Sequence, residues 1–100
     1  MGIVKHVVLF RAREGTPESD IRQVLGELKG LIGVIPGLLD CSGGANNSPE
    51  GRAQGLTHGF IMTFESVAAR DGYLPHPEHR RAAAGLRAFA EDILVFDYED

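Results

Sequence analysis

The segment Ile3 to Arg11 constrains this chain more than any other. It is rich in Ile, Val, Leu and Phe, and no Gly or Pro interrupts it, so it predicts a β-strand. Side chains alternate along a strand with a period of two. One register carries Ile3, Val7 and Leu9, and the other carries His6, Val8 and Phe10. Both are apolar, so both faces require cover, and the strand belongs in the middle of a sheet.

The rest of the chain supplies the partners. Thr16-Pro17-Glu18-Ser19 reads as a helix start, with Thr16 as N-cap and Pro17 at the first helical position. Ile21, Val24, Leu25, Leu28 and Leu31 follow at spacings of three and four, one apolar helical face that Gly33 and Pro36 end. Pro36 to Gly44 is a weaker edge strand, and Asn46 to Gly51 opens a loop that runs to Gly55. Thr57 to Phe64 is a third strand, with Phe60, Met62 and Phe64 on one side and Ile61 on the other. Ser66 caps a second helix to Tyr73, Pro75 and Pro77 break it, and a third helix starts near Pro77. Ile93 to Tyr98 forms the last strand, apolar in both registers.

Strand, helix, strand, strand, helices, strand is the split βαβ pattern of an α+β, ferredoxin-like βαββαβ fold. The expected sheet is four-stranded and antiparallel, in the order 4-1-3-2, with the helices on one face. The whole chain, 1–100, is expected to form one domain. The other sheet face would remain bare and apolar, too large to leave in water. A second copy of the same face is the simplest cover, so a homodimer through the sheet faces is expected.

The formal net charge is −4, which argues against nucleic acid and anionic membranes as partners. No apolar run approaches the roughly 18 residues of a membrane span. The N-terminal residues lack a signal-peptide pattern, and His6 stands where a myristoylation motif needs Ser or Thr. The single cysteine, Cys41, fits a reducing compartment and reads as an ordinary strand or loop residue. A cytoplasmic location is expected.

The chain has four histidines. His6 shares a strand face with Val8 and Phe10, and His58 shares one with Phe60 and Met62. His76 and His79 flank Pro77-Glu78 in the segment Tyr73-Leu74-Pro75-His76-Pro77-Glu78-His79. If the first and third strands are neighbours, His6 and His58 turn to one side, on the order of 10 Å apart at about 3.3 Å per residue. On the helix side they would line one pocket with Tyr73 and His79. A lone strand histidine is more often a structural residue, and His76 between two prolines suits a turn. No carboxylate or cysteine completes a metal-ligand spacing, so no metal is expected. Histidine titrates near neutral pH, and a tyrosine beside it donates to a developing oxyanion. Together they suit removal of a proton α to a carbonyl. No nucleophile elbow, phosphate loop or dinucleotide fingerprint is present, and no cofactor is expected.

Lys5-His6-Val7-Val8-Leu9-Phe10, Asn46 to Gly51, Thr57-His58, Thr63-Phe64-Glu65-Ser66, Tyr73 to His79 and Asp92 to Tyr98 together resemble the stress-responsive A/B barrel (Dabb) family. The resemblance spans the chain in order and implies a dimeric α/β barrel, two four-stranded sheets face to face with helices outside. Most members have no assigned reaction. In the olivetolic acid cyclase branch, which closes a linear polyketide, the catalytic histidine and tyrosine correspond to His79 and Tyr73. By that resemblance His79 is the general base and Tyr73 the hydrogen-bonding partner. His6 and His58, with Val8, Phe10, Phe60, Val24 and Leu28, are the implied substrate-binding residues. The first helix departs from the branch: its bulky aromatics are replaced by Val24, Leu25 and Leu28, so the pocket should differ in shape.

Three functions are compatible with these residues. One is a cofactor-free cyclase, isomerase or lyase acting on a small apolar carbonyl or polyketide-like compound. The second is a noncatalytic stress-response or ligand-binding dimer. The third is a cofactor-free monooxygenase, as in neighbouring dimeric α/β-barrel families, which no residue here singles out.

Overall fold

A computed structural model describes residues 2–100. The elements are β1 (Val4–Ala12), α1 (Glu18–Lys29), β2 (Leu38–Ala45), β3 (His58–Phe64), α2 (Val67–Tyr73), α3 (Pro77–Arg87) and β4 (Ala90–Glu99). The four strands form one sheet in the order β2-β3-β1-β4, with every neighbouring pair antiparallel. This is the ferredoxin-like βαββαβ arrangement, and β1 is central as its doubly apolar sequence requires.

The register sorts side chains by face. Val8 lies between Phe60 and Val95, and Phe10 lies between His58 and Ile93. Directly opposed residues share a face, so Val4, His6, Val8 and Phe10 join Phe60, Met62 and Phe64 under the helices. Ile21, Val24, Leu25 and Leu28 of α1 complete that core, with Leu86 of α3 and Phe89 beyond it. Each large apolar side chain buried there contributes about 1.5–3 kcal/mol.

The opposite face is bare. Leu9, Ile61, Leu94, Phe96 and Tyr98 are exposed, Phe96 to 69%. The edge strand β4 is poorly covered on its helix side as well, since Ile93 and Val95 are also exposed. No helix among the described residues is long and apolar enough to cross a membrane.

Local details differ from the sequence expectation where backbone geometry outweighed propensity. The N-cap of α1 is Pro17, in extended conformation and without a side-chain cap. Thr16 instead donates its hydroxyl to the Arg13 carbonyl, 2.6 Å away. The helix stops at Lys29, before Gly33, because Leu31 to Ile35 fold into tight turns. Strand β4 starts at Ala90, three residues early, by pairing with Ala12 across an irregularity in register.

Candidate active site

The site is built around α2. Ser66 starts this helix, its Oγ accepting from the Ala69 N–H at 3.0 Å. Gly37 holds the helix close to the sheet. It has φ +81°, and a Cβ there would lie 2.5 Å from the Cβ of Ala69. The Gly37 carbonyl also accepts from the Glu65 N–H, 2.9 Å away. Tyr73, the last residue of α2, is thereby pressed into the core, where it is 1% exposed.

The chain then turns into α3. His76 is the N-cap of that helix, its Nδ1 accepting from the Glu78 N–H at 3.1 Å, with Pro77 at the first helical position. That role makes His76 structural. One turn on, His79 lies 2.9 Å from the Leu74 carbonyl through Nδ1. A carbonyl only accepts, so Nδ1 carries the hydrogen and Nε2 presents its lone pair.

Three rings meet here. Tyr73 and His79 have centroids 4.1 Å apart, and His6 approaches Tyr73 edge-on at 5.9 Å. Phe64 packs on Tyr73 at 5.1 Å and on His6 at 6.3 Å. His6 is buried and reaches Asp97 Oδ1 through Nδ1 at 2.8 Å. Arg70 donates to the other oxygen of Asp97 at 2.6 Å. Among the described residues, no side chain or backbone group hydrogen-bonds the Tyr73 hydroxyl, the Nε2 of His6 or the Nε2 of His79. Three polar atoms of one aromatic cluster thus have no partner among the described residues.

Desolvation tunes both central groups. Burial pushes the Tyr73 phenol well above its ordinary pKa, so it stays a protonated donor. Burial lowers the His79 pKa, opposed by its bond to the Leu74 carbonyl and helped by His6, Arg87 and Arg80. His79 is therefore neutral at neutral pH, the form a general base needs. Burial likewise pushes the Cys41 thiol up to about 11, which leaves it a thiol.

The other sequence candidates lie elsewhere. The register pairs His6 with Met62 and Phe10 with His58, setting the two histidines four positions apart, ~13 Å at the usual rise. His58 stacks on Phe10 with centroids 5.6 Å apart and meets Thr57 at 2.7 Å and Glu18 at 3.0 Å. Both its nitrogens have partners, and it does not join the Tyr73 cluster. Val8, Phe10, Phe60, Val24 and Leu28 are all buried in the core. A concavity of about 610 Å³ opens on the bare sheet face between Val7, Leu9, Ile61, Leu94 and the Asn46–Gln54 loop. A second, of about 370 Å³, lies between α1 and β2 beside Glu18, Arg22 and His58. Neither is lined by Tyr73 or His79, so the chemically equipped cluster and these two hollows are separate places. No three His, Cys, Asp or Glu side chains among the described residues converge as metal ligands do.

Asp97 and Arg70 had no motif to announce them. The signal was in β4: its alternation puts Asp97 on the same face as Ile93 and Val95, an acid where an apolar residue belongs.

The family model for the Stress responsive A/B Barrel Domain (Dabb) matches residues 4–100. The chain belongs to this family. Olivetolic acid cyclase of Cannabis sativa is 30% identical to this Dabb chain over 95 residues, covering 95% of it and 94% of the cyclase. Among solved structures, a dimeric ferredoxin-like protein of unknown function from Jannaschia sp. CCS1 superposes with TM-score 0.88. Its identity is 32%, over 99% of this chain and 100% of that one. The hydroxynitrile lyase of Passiflora edulis superposes with TM-score 0.87 at 28% identity, over 97% of this chain and 92% of the lyase. The Dabb fold thus houses a cyclase and a lyase as well as proteins without an assigned reaction, and the fold alone does not select among them.

Proposed function

We propose that this Dabb domain is a homodimer that binds a small apolar carbonyl compound at the Tyr73–His79–His6 cluster and performs cofactor-free acid–base chemistry on it. The observation that carries the reading is the Tyr73 hydroxyl: a phenol 1% exposed as a residue, with no hydrogen-bond partner among the described residues, between two imidazoles whose Nε2 atoms have none there either. A phenol held in an aromatic cluster with no hydrogen bond to its own protein is available to donate to a ligand oxygen.

In this reading the Tyr73 hydroxyl donates to the carbonyl oxygen, and Nε2 of His79 removes the proton from the α-carbon. The C–H electron pair becomes the C=C bond, and the carbonyl π pair moves to oxygen as an enolate held by Tyr73. His79 then returns the proton to carbon or oxygen as the product requires. Similarity to olivetolic acid cyclase and to a hydroxynitrile lyase supports an enzymatic reading of this fold. The dimer is supported by the bare Leu9–Ile61–Leu94–Phe96 face and by the dimeric Jannaschia relative.

A second reading, a noncatalytic ligand-binding dimer, draws support from the burial of Val8, Phe10, Phe60 and Leu28 in the core and from the concavity of about 610 Å³, which is not lined by Tyr73 or His79. One experiment separates the two. Linear methyl ketones are incubated with the protein in D₂O, and deuterium at the α-carbon is followed beside shifts of the His79 ring. Exchange above the buffer rate that His79→Ala abolishes supports catalysis. Binding without exchange selects the second reading, and neither effect rejects both.

A further inference from the structure

The cluster Asp71, Arg70, Asp97 and His6 is a continuous run of charged and polar contacts from the surface to the buried ring. Arg70 Nε meets Asp71 at 2.9 Å, Arg70 Nη1 meets Asp97 Oδ2 at 2.6 Å, and Asp97 Oδ1 meets His6 Nδ1 at 2.8 Å. The side chains become more buried along it, from Asp71 at 61% exposed to His6 at 7%. Arg70 and Tyr73 stand three residues apart on α2, so one helix carries both the phenol and the clamp.

We propose that Arg70 is a positioning residue of this site, acting through Asp97 to fix the tautomer of His6. A carboxylate that accepts from a guanidinium on one oxygen has its other oxygen aimed in a set direction. That oxygen can only accept, so His6 must place its hydrogen on Nδ1 and its lone pair on Nε2. His79 is held in the same tautomer by the Leu74 carbonyl. The site then presents two imidazole bases about Tyr73, where sequence alone designates one.

Asp97 needs such a clamp because it sits on the edge strand β4, whose neighbours Val95 and Phe96 are exposed. Without Arg70 the carboxylate is free to turn to water, and His6 loses its one hydrogen-bond partner among the described residues. The importance of this second base rests on the acid–base reading above, but the tautomer itself does not.

The test is ¹⁵N NMR of the histidine rings at a pH where the imidazoles are neutral, on the protein without ligand. His6 in the native chain should show the Nδ1–H pattern; an Nε2–H pattern overturns the proposal before any variant is made. Arg70→Gln should shift His6 toward Nε2–H while His79 keeps its pattern, and Arg70→Lys should restore the native state. A His6 spectrum unchanged in Arg70→Gln overturns the clamp. Since no substrate enters the experiment, a chain that turns over no carbonyl compound can still show the clamp, and the reverse holds too.

Discussion

The ring of His79 donates to the carbonyl of Leu74, five residues earlier, over 2.9 Å. One short bond across the α2–α3 turn thus sets which nitrogen of the candidate base faces outward. It also sets what His79 contributes at different pH values.

The pKa of His79 is lowered on folding, chiefly by burial. The unfolded chain, with an ordinary imidazole near 6.5, then takes up more protons than the folded one as pH falls through that range. Unfolding free energy should accordingly fall on acidification and reach its full value above the ordinary imidazole pKa. Urea unfolding across this range should show a shallower acid loss in His79→Gln than in the native chain. Equal slopes would mean that His79 is not desolvated.

Tyr73→Phe removes a hydroxyl that has no hydrogen-bond partner among the described residues. Stability should stay within about 0.5 kcal/mol of native or rise, whereas a hydroxyl with a structural bond would cost about 1–2 kcal/mol. Thermal melts of the two proteins decide it. A stable Tyr73→Phe variant that has lost ketone binding would separate function from folding at a single oxygen atom.

Gly37→Ala should be among the most damaging small substitutions. The residue has positive φ, and its new methyl would meet Ala69 at 2.5 Å. A loss of more than about 2 kcal/mol is expected from strain and overpacking together. Because Ala69 lies on α2, the surviving folded population should also show displaced Tyr73 resonances. A variant with native stability would mean that α2 yields easily.

Phe96→Glu places a charge on the bare sheet face at its most exposed large apolar residue. Sedimentation at micromolar concentration should give twice the chain mass for the native protein and the chain mass for the variant. A native monomer would overturn the dimer, and a dimeric variant would move the interface off this face.

The fold was readable from sequence because strands announce themselves by composition and period: β1 by apolarity in both registers, β3 by Phe60, Met62 and Phe64. Turn chemistry located Ser66 and the prolines around His76. Helix α1 was readable in its apolar face but less so in its ends, since Thr16 found a carbonyl instead of capping. For the site, Tyr73 and His79 stood close in sequence and met in space. His58 and His6 looked equivalent by face, yet antiparallel pairing carries them to opposite ends of the inner sheet surface. Arg70 was silent and Asp97 showed only as an acid among apolar residues of β4, because a contact between α2 and β4 depends on how the helix docks, which no local spacing encodes.

Successive residues of β4 point to opposite sides of the sheet. Phe96 therefore belongs to the open apolar face, and Asp97, its neighbour, to the buried cluster. The strand works as a shared hinge pin: whatever immobilises Phe96 from outside also limits the travel of the carboxylate inside. Assembly and the alignment of His6 would then be two readings of one mechanical state.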